Sequence, residues 1–127
     1  NTASLAAFFP LAEFAVYSAS KAYVLNFSLA LASEWKRRGI CVHALCPGSV
    51  QSEFALVASS GARKEVLHGY SADKTTAACL RSAGRRKWLS QPRLVWRLRR
   101  RLGTLVGPIT VAKFSQRFMK RPRAPGV

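Results

Sequence analysis

The sequence predicts an α/β fold built on a parallel sheet, and three observations carry that expectation. First, residues 15–38 place apolar side chains at three- and four-residue steps: Val16, Tyr23, Val24, Phe27, Ala30, Leu31 and Trp35. Second, this helical stretch ends on Lys36, Arg37 and Arg38, where cations suit the helix dipole, and Gly39 supplies a stop. Third, the short apolar run 40–45 follows at once, bounded by Gly39 and by Pro47-Gly48, and reads as a buried strand. Helix, tight turn and buried strand in that order make half of a βαβ unit.

The remaining elements follow in chain order. Residues 1–10 read as a strand end followed by a loop. Residues 48–70 mix Gly, Ser and Ala with scattered apolar groups and suggest a loop with one short helix. Residues 71–83 read as a helix with Ser71 or Asp73 as N-cap and Gly84 as its stop. Residues 87–90 suit a short strand ended by Pro92. Two basic amphipathic helices, 93–106 and 109–120, are parted by Gly107-Pro108, and the final RPRAPGV reads as a frayed tail. The organisation expected is an α/β unit over 1–92 and a basic helical extension and tail over 93–127.

Composition narrows the classes. A chain of 127 residues, 49% hydrophobic and 20% charged, is near the usual size of one domain and is not disordered throughout. Lys and Arg number 21 against 5 Asp and Glu, for a formal net charge of +16. The charge is uneven: residues 1–60 sum to +1, and the remainder carries +15. No apolar run reaches the roughly 18–20 residues of a membrane span. The chain opens on Asn1 with no basic n-region, so its start does not read as a signal peptide. Three cysteines (Cys41, Cys46 and Cys79), an odd number without CxxC spacing, argue against a disulfide framework or a metal site. Cys41 and Cys46 read as small hydrophobes of the strand. A reducing compartment, the cytoplasm, is the expected location, with membrane association open through the basic helices.

The chemistry-bearing feature is Tyr17-Ser18-Ala19-Ser20-Lys21. On a helix Tyr17 and Lys21 share a face, about 6 Å apart along the axis. At an effective dielectric of about 20, an ammonium at that distance favours a phenolate by about 2–3 kcal/mol. That moves a tyrosine towards the working range of a general acid/base. A YxxxK pentapeptide on its own also suits an ordinary amphipathic helix, so the neighbouring motifs decide. Asn1-Thr2-Ala3-Ser4 precedes Tyr17, with Ser4 thirteen residues upstream, and Cys46-Pro47-Gly48-Ser49-Val50-Gln51-Ser52 closes the next strand.

Together, NTAS…YSASK…ALCPGSVQSEF resembles the short-chain dehydrogenase/reductase family over residues 1–54. The resemblance implies a Rossmann-type doubly wound parallel sheet, of which this chain holds the C-terminal half only. It implies NAD(P)-dependent oxidoreduction of a carbonyl/alcohol pair, with NADP or NAD as cofactor and a small-molecule carbonyl or alcohol as substrate. The implied catalytic set is Ser4, Tyr17 and Lys21. Tyr17 would exchange the proton with the substrate oxygen and, with Lys21, would also border the bound cofactor. Lys21 would stabilise its phenolate and hydrogen-bond the nicotinamide ribose, and Ser4 would hold the substrate oxygen. Pro47 and Gly48 would turn the chain beside the nicotinamide, with Val50 backbone and the Ser52 hydroxyl near the carboxamide. Family members often carry Thr where Ser52 stands. The helix 15–38 resembles the family's subunit-interface helix, so a homo-oligomer is expected.

Other family motifs find no match. The glycine-rich TGxxxGxG turn that lets backbone approach a pyrophosphate is missing, as are the NAG segment and the upstream asparagine. Asn1, just before Ser4, does not stand at that asparagine's place. The expectation is that these 127 residues alone neither bind dinucleotide nor turn over substrate.

Each residue also has a plainer reading. Ser4 suits a capping serine, Ser18 and Ser20 suit local bonding, His43 a buried strand histidine and His68 a solvent-facing loop residue. Phe54, Leu56, Val57, Val66, Leu67 and Tyr70 either shape a pocket or only line a surface loop. In 93–106, Leu94, Leu98, Leu102 and Leu105 form a stripe beside Arg97, Arg99, Arg100 and Arg101. Packing of that stripe on the core or a second subunit is favoured over membrane contact through 93–120. The competing class is therefore a noncatalytic basic amphipathic protein binding anionic membranes or nucleic acid. No helix-turn-helix, zinc-finger or RRM signature accompanies the charge, so no specific nucleic acid is expected.

Overall fold

The computed structural model describes residues 1–58, 61 and 69–118. His68, Val66, Leu67 and the RPRAPGV tail lie outside the described residues.

The dominant element is helix α1, Ala15–Trp35, continued by a 3-10 turn over Lys36–Arg38. Gly39 ends it at φ 75, a left-handed conformation that glycine adopts without steric cost. The helix is apolar on more than one side. Ser18, Leu25, Ser28 and Ala32 form its buried row. The apolar set expected from the sequence divides around that row: Val24 and Leu31 are half-buried, while Val16 and Tyr23 are 85% and 67% exposed. Tyr23 and Phe27 stack on the outer face with ring centroids 5.8 Å apart.

Strand β1, Ala44–Leu45, pairs in parallel with β2, Leu89–Ser90, in the register Ala44 with Leu89 and Leu45 with Ser90. Thr2 bridges Leu45, also in parallel, from the other side. Residues 1–4, α1 and β1 thus form a βαβ crossover, as a parallel pair requires. The core beneath joins Ala3, Leu25, Ala44 and Cys46, with Phe8, Val24 and Leu89 packed against it.

The strand expected over 40–45 is shorter, because the ladder begins at Ala44, whose N–H donates to the Trp88 carbonyl at 2.9 Å. Cys41 lies before that ladder and is exposed, so only Cys46 packs as a strand hydrophobe. Burial pushes the Cys46 thiol up to about 11, which keeps it protonated at neutral pH as a packing group. His43 ties the two strands together. Its Nδ1 meets the Lys87 carbonyl, which can only accept, and its Nε2 lies 2.9 Å from the Ser90 hydroxyl. Both ring nitrogens are engaged, so His43 serves the sheet.

Residues 5–8, expected within a loop, form a 3-10 turn, Leu5–Phe8, whose first N–H groups Ser4 caps. Helix α2 spans Phe54–Ala58 and α3 spans Ala72–Gly84. Ser71 caps α3 by accepting from the Lys74 N–H at 3.3 Å. Gly84 stays inside α3, which Arg85 ends instead. Helices α4, Leu94–Leu105, and α5, Pro108–Phe118, complete the described residues. Of the two packings expected for the α4 leucine stripe, the one on the core does not form: Leu98 is 52% and Leu105 82% exposed. Trp96, 2% exposed, is the side chain that α4 buries.

Candidate active site

The local folding of three segments builds one cleft. Residues 2–4 run in extended form beside β1, held by the Ala3 N–H donating to the Leu45 carbonyl at 2.9 Å. The 3-10 turn then lets the Leu5 N–H reach the Pro47 carbonyl at 2.8 Å. That bond fixes the Ser4 segment against the Pro47-Gly48 turn. Beyond the turn, Gln51 N–H donates to the Tyr70 carbonyl and Tyr70 N–H to the Ser49 carbonyl, at 2.9 and 3.0 Å. Helix α1 closes the other wall with Tyr17 and Lys21, one turn apart.

The cleft has a volume of about 570 Å³. Ser4, Tyr17, Lys21, Pro47, Gly48, Val50 and Ser52 all line it. These seven residues are those singled out from sequence, and they come from three separate stretches of chain. Lys21 Nζ lies 5.8 Å from the Tyr17 ring centroid and donates to the Thr2 carbonyl at 3.2 Å. The Thr2 carbonyl thereby sets where the lysine charge sits. The Tyr17 ring also meets Phe54 of α2, centroids 6.1 Å apart. Phe54 therefore shapes the cleft, one of the two options its loop position allowed.

Ser4 Oγ accepts from the Ala6 N–H at 3.1 Å, so the capping reading of Ser4 is observed. The bond occupies a lone pair and leaves the hydroxyl proton to donate elsewhere. Ser52 Oγ accepts a longer bond, 3.4 Å, from Phe54 N–H at the start of α2. Ser18 and Ser20 bond locally, to the Ala15 and Tyr17 carbonyls at 3.1 and 2.8 Å. Among the described residues no group of three or more His, Cys, Asp or Glu could hold a metal.

Sequence reasoning missed the support behind Gly48. A Cβ at Gly48 would lie 2.5 Å from Trp96 Nε1, so the indole occupies the space a side chain would need. Tyr70 meets Trp96 edge to face, centroids 5.7 Å apart and planes at 84°. Arg93 covers the Tyr70 ring at 5.4 Å. Trp96 stands 48 positions after Gly48, and no local pattern links them.

Tyr17 and Lys21 thus share one cleft with the turn that follows β1 of a parallel strand pair, and comparison with known proteins gives the family. The short chain dehydrogenase family model matches residues 1–65, and the chain belongs to that family. Serine 3-dehydrogenases of Agrobacterium fabrum (strain C58) and of Rhizobium radiobacter are each 38% identical over 61 residues. The match takes 48% of this chain and 24% of each relative, so the matched part spans about a quarter of their length.

Two solved structures share the fold. A short-chain dehydrogenase from Sphingobium yanoikuyae, solved in complex with NADPH, superposes with a TM-score of 0.66 at 22% identity. It covers all of this chain, which in turn covers 47% of it. The bulky-bulky ketone specific alcohol dehydrogenase from Comamonas testosteroni has a TM-score of 0.54 at 23% identity, covering 94% of this chain and 46% of its own.

Proposed function

We propose that this chain carries the proton-transfer half of an NAD(P)-dependent oxidoreductase interconverting a carbonyl and an alcohol. The observation that carries the reading is the single cleft shared by Ser4, Tyr17, Lys21 and the 47–52 turn. Membership of the short chain dehydrogenase family supports it.

The residues present fit the nicotinamide end of a dinucleotide. Lys21 spends one donor on the Thr2 carbonyl and keeps two N–H groups for a ribose. Val50 backbone and the Ser52 hydroxyl border the same cleft and would face the carboxamide. The nicotinamide, when bound, supplies or takes the hydride. In the direction of reduction, the Tyr17 hydroxyl gives its proton to the substrate oxygen. Ser4 donates a hydrogen bond to that oxygen and holds it in reach of Tyr17. The Lys21 ammonium stabilises the negative charge left on the Tyr17 oxygen. Oxidation runs the same proton path backwards. On this reading the outer face of α1, with Val16, Tyr23 and Phe27, meets a second subunit.

The pyrophosphate end finds no counterpart among these residues, since none of the 8 glycines stands in a glycine-rich turn of the TGxxxGxG kind. The 127 residues alone are therefore expected to show no saturable NADPH binding by fluorescence titration. The same residues joined to a glycine-rich nucleotide-binding half are expected to bind NADPH and to reduce a carbonyl substrate. Tight binding by the 127 residues alone would refute this division of labour.

Lys21→Met in the joined protein tests the lysine's two roles together. It is expected to raise the Kd for NADPH and to lower kcat, each by about tenfold or more, because one ammonium serves both ribose and phenolate. Loss of kcat with unchanged Kd would remove Lys21 from the cofactor.

A further inference from the structure

Helix α4 has two opposed faces with different employments. At about 100° per residue, Trp96, Arg100 and Gly103 share one side, and Leu94, Leu98, Leu102 and Leu105 share the opposite side. The first row packs inward. Trp96 is buried behind Gly48, the Arg100 guanidinium lies 5.3 Å over the Phe8 ring, and Gly103 abuts Phe9. The second row faces out, with Leu94 at 70% and Leu102 at 54% exposure. Arg97 and Arg101 border the leucine row on one side and Arg99 on the other, and all three are exposed.

We propose that this outer face of α4 is an interfacial docking surface for an anionic lipid bilayer. Three observations select that occupant. The leucine row is flanked on both sides by arginines, so an apolar strip and two cationic margins meet the target together. A bilayer interface offers the same order, acyl chains between phosphate headgroups. The stretch 93–118 contains seven Lys or Arg residues and no Asp or Glu. A second copy of the chain brings the same uncompensated charge to the same face, which opposes self-association there. Among the described residues no helix is long and apolar enough to cross a membrane, so α4 would lie in the interface plane.

The packing of the inner row gives docking a consequence for the cleft. Trp96 joins α4 to the Gly48 turn, so a docked α4 holds the cleft at a fixed orientation to the bilayer. The docking surface stands independently of the catalytic reading, and its test needs no cofactor or activity.

The test is vesicle co-sedimentation of the 127-residue chain with phosphatidylcholine vesicles, with and without phosphatidylglycerol. Two variants accompany it: Leu98→Gln/Leu102→Gln/Leu105→Gln, and Arg97→Gln/Arg99→Gln/Arg101→Gln. All six side chains are exposed, and circular dichroism checks that each variant keeps the wild-type helix content. The chain is expected to pellet with phosphatidylglycerol vesicles and not with phosphatidylcholine alone. Each triple variant is expected to lose about tenfold or more in affinity. Absence of binding to phosphatidylglycerol vesicles overturns the proposal. So does undiminished binding by the leucine variant, which would reduce the effect to net charge. Duplex DNA bound as tightly as vesicles, with no effect of the leucine variant, assigns the face to nucleic acid and overturns it too. Self-association in ultracentrifugation that the leucine variant abolishes assigns the face to a second copy, with the same result.

Discussion

Tyr17→Phe in the protein joined to a nucleotide-binding half should cut carbonyl reduction by about 10²–10⁴-fold, the usual span for losing a general acid. The Kd for NADPH should change little. The substitution removes one oxygen and keeps the ring, so the contact with Phe54 and the neighbouring Lys21 ammonium are preserved. Lys21 holds its place through the Thr2 carbonyl rather than through the phenol, which is why the tyrosine can lose its hydroxyl without moving the lysine. Neither Cys46 nor His43 is placed to take over the proton that Tyr17 is proposed to deliver. Cys46 is buried with its thiol pushed up to about 11, and His43 has both ring nitrogens engaged in the sheet. Steady-state kinetics beside a fluorescence titration separates the two quantities. A variant with near-normal kcat would place the proton donor elsewhere.

Trp96→Ala should destabilise the 127-residue chain by about 3–5 kcal/mol, the range for removing a buried aromatic side chain from a packed core. The indole is 2% exposed, meets Tyr70 edge to face and fills the space beside Gly48. Its removal opens a cavity under the Pro47-Gly48 turn and frees α4 from the sheet. The Leu5 N–H bond to the Pro47 carbonyl then has to hold the turn with little behind it. Urea denaturation of the wild type and the variant reads the difference. A loss below about 1 kcal/mol would mean that α4 is not anchored through Trp96.

Much of this arrangement was legible in the sequence where the signal is local. Helix 15–38 and its Gly39 stop follow from periodicity, terminal cations and one glycine, and the structure agrees within a 3-10 turn. Ser71 at the head of α3 and the Gly107-Pro108 break are legible for the same reason. The cleft was legible because its residues come as short motifs. Strand 40–45 was not, because apolar character marks a run of chain whereas pairing depends on the partner. Here β2 offers two ladder positions, and Cys41 lies outside them.

The orientation of α4 was the least legible feature. Its sequence carries four leucines on one side and one tryptophan on the other, and apolar count favours burying the leucines. The structure buries the tryptophan, whose large ring matches the gap behind a glycine turn 48 residues away. That choice rests on shape complementarity between distant segments, which periodicity does not record.

The central claim is that Tyr17 moves the proton while Lys21 serves both phenol and ribose. It is tested most directly by titrating NADPH into the joined protein as wild type, Tyr17→Phe and Lys21→Met, with turnover followed in the same samples. The account predicts three different results: tight binding with turnover, tight binding with turnover cut about 10²–10⁴-fold, and weakened binding with turnover lowered about tenfold or more. Equal NADPH affinity across all three proteins, or near-normal turnover in the tyrosine variant, would contradict it.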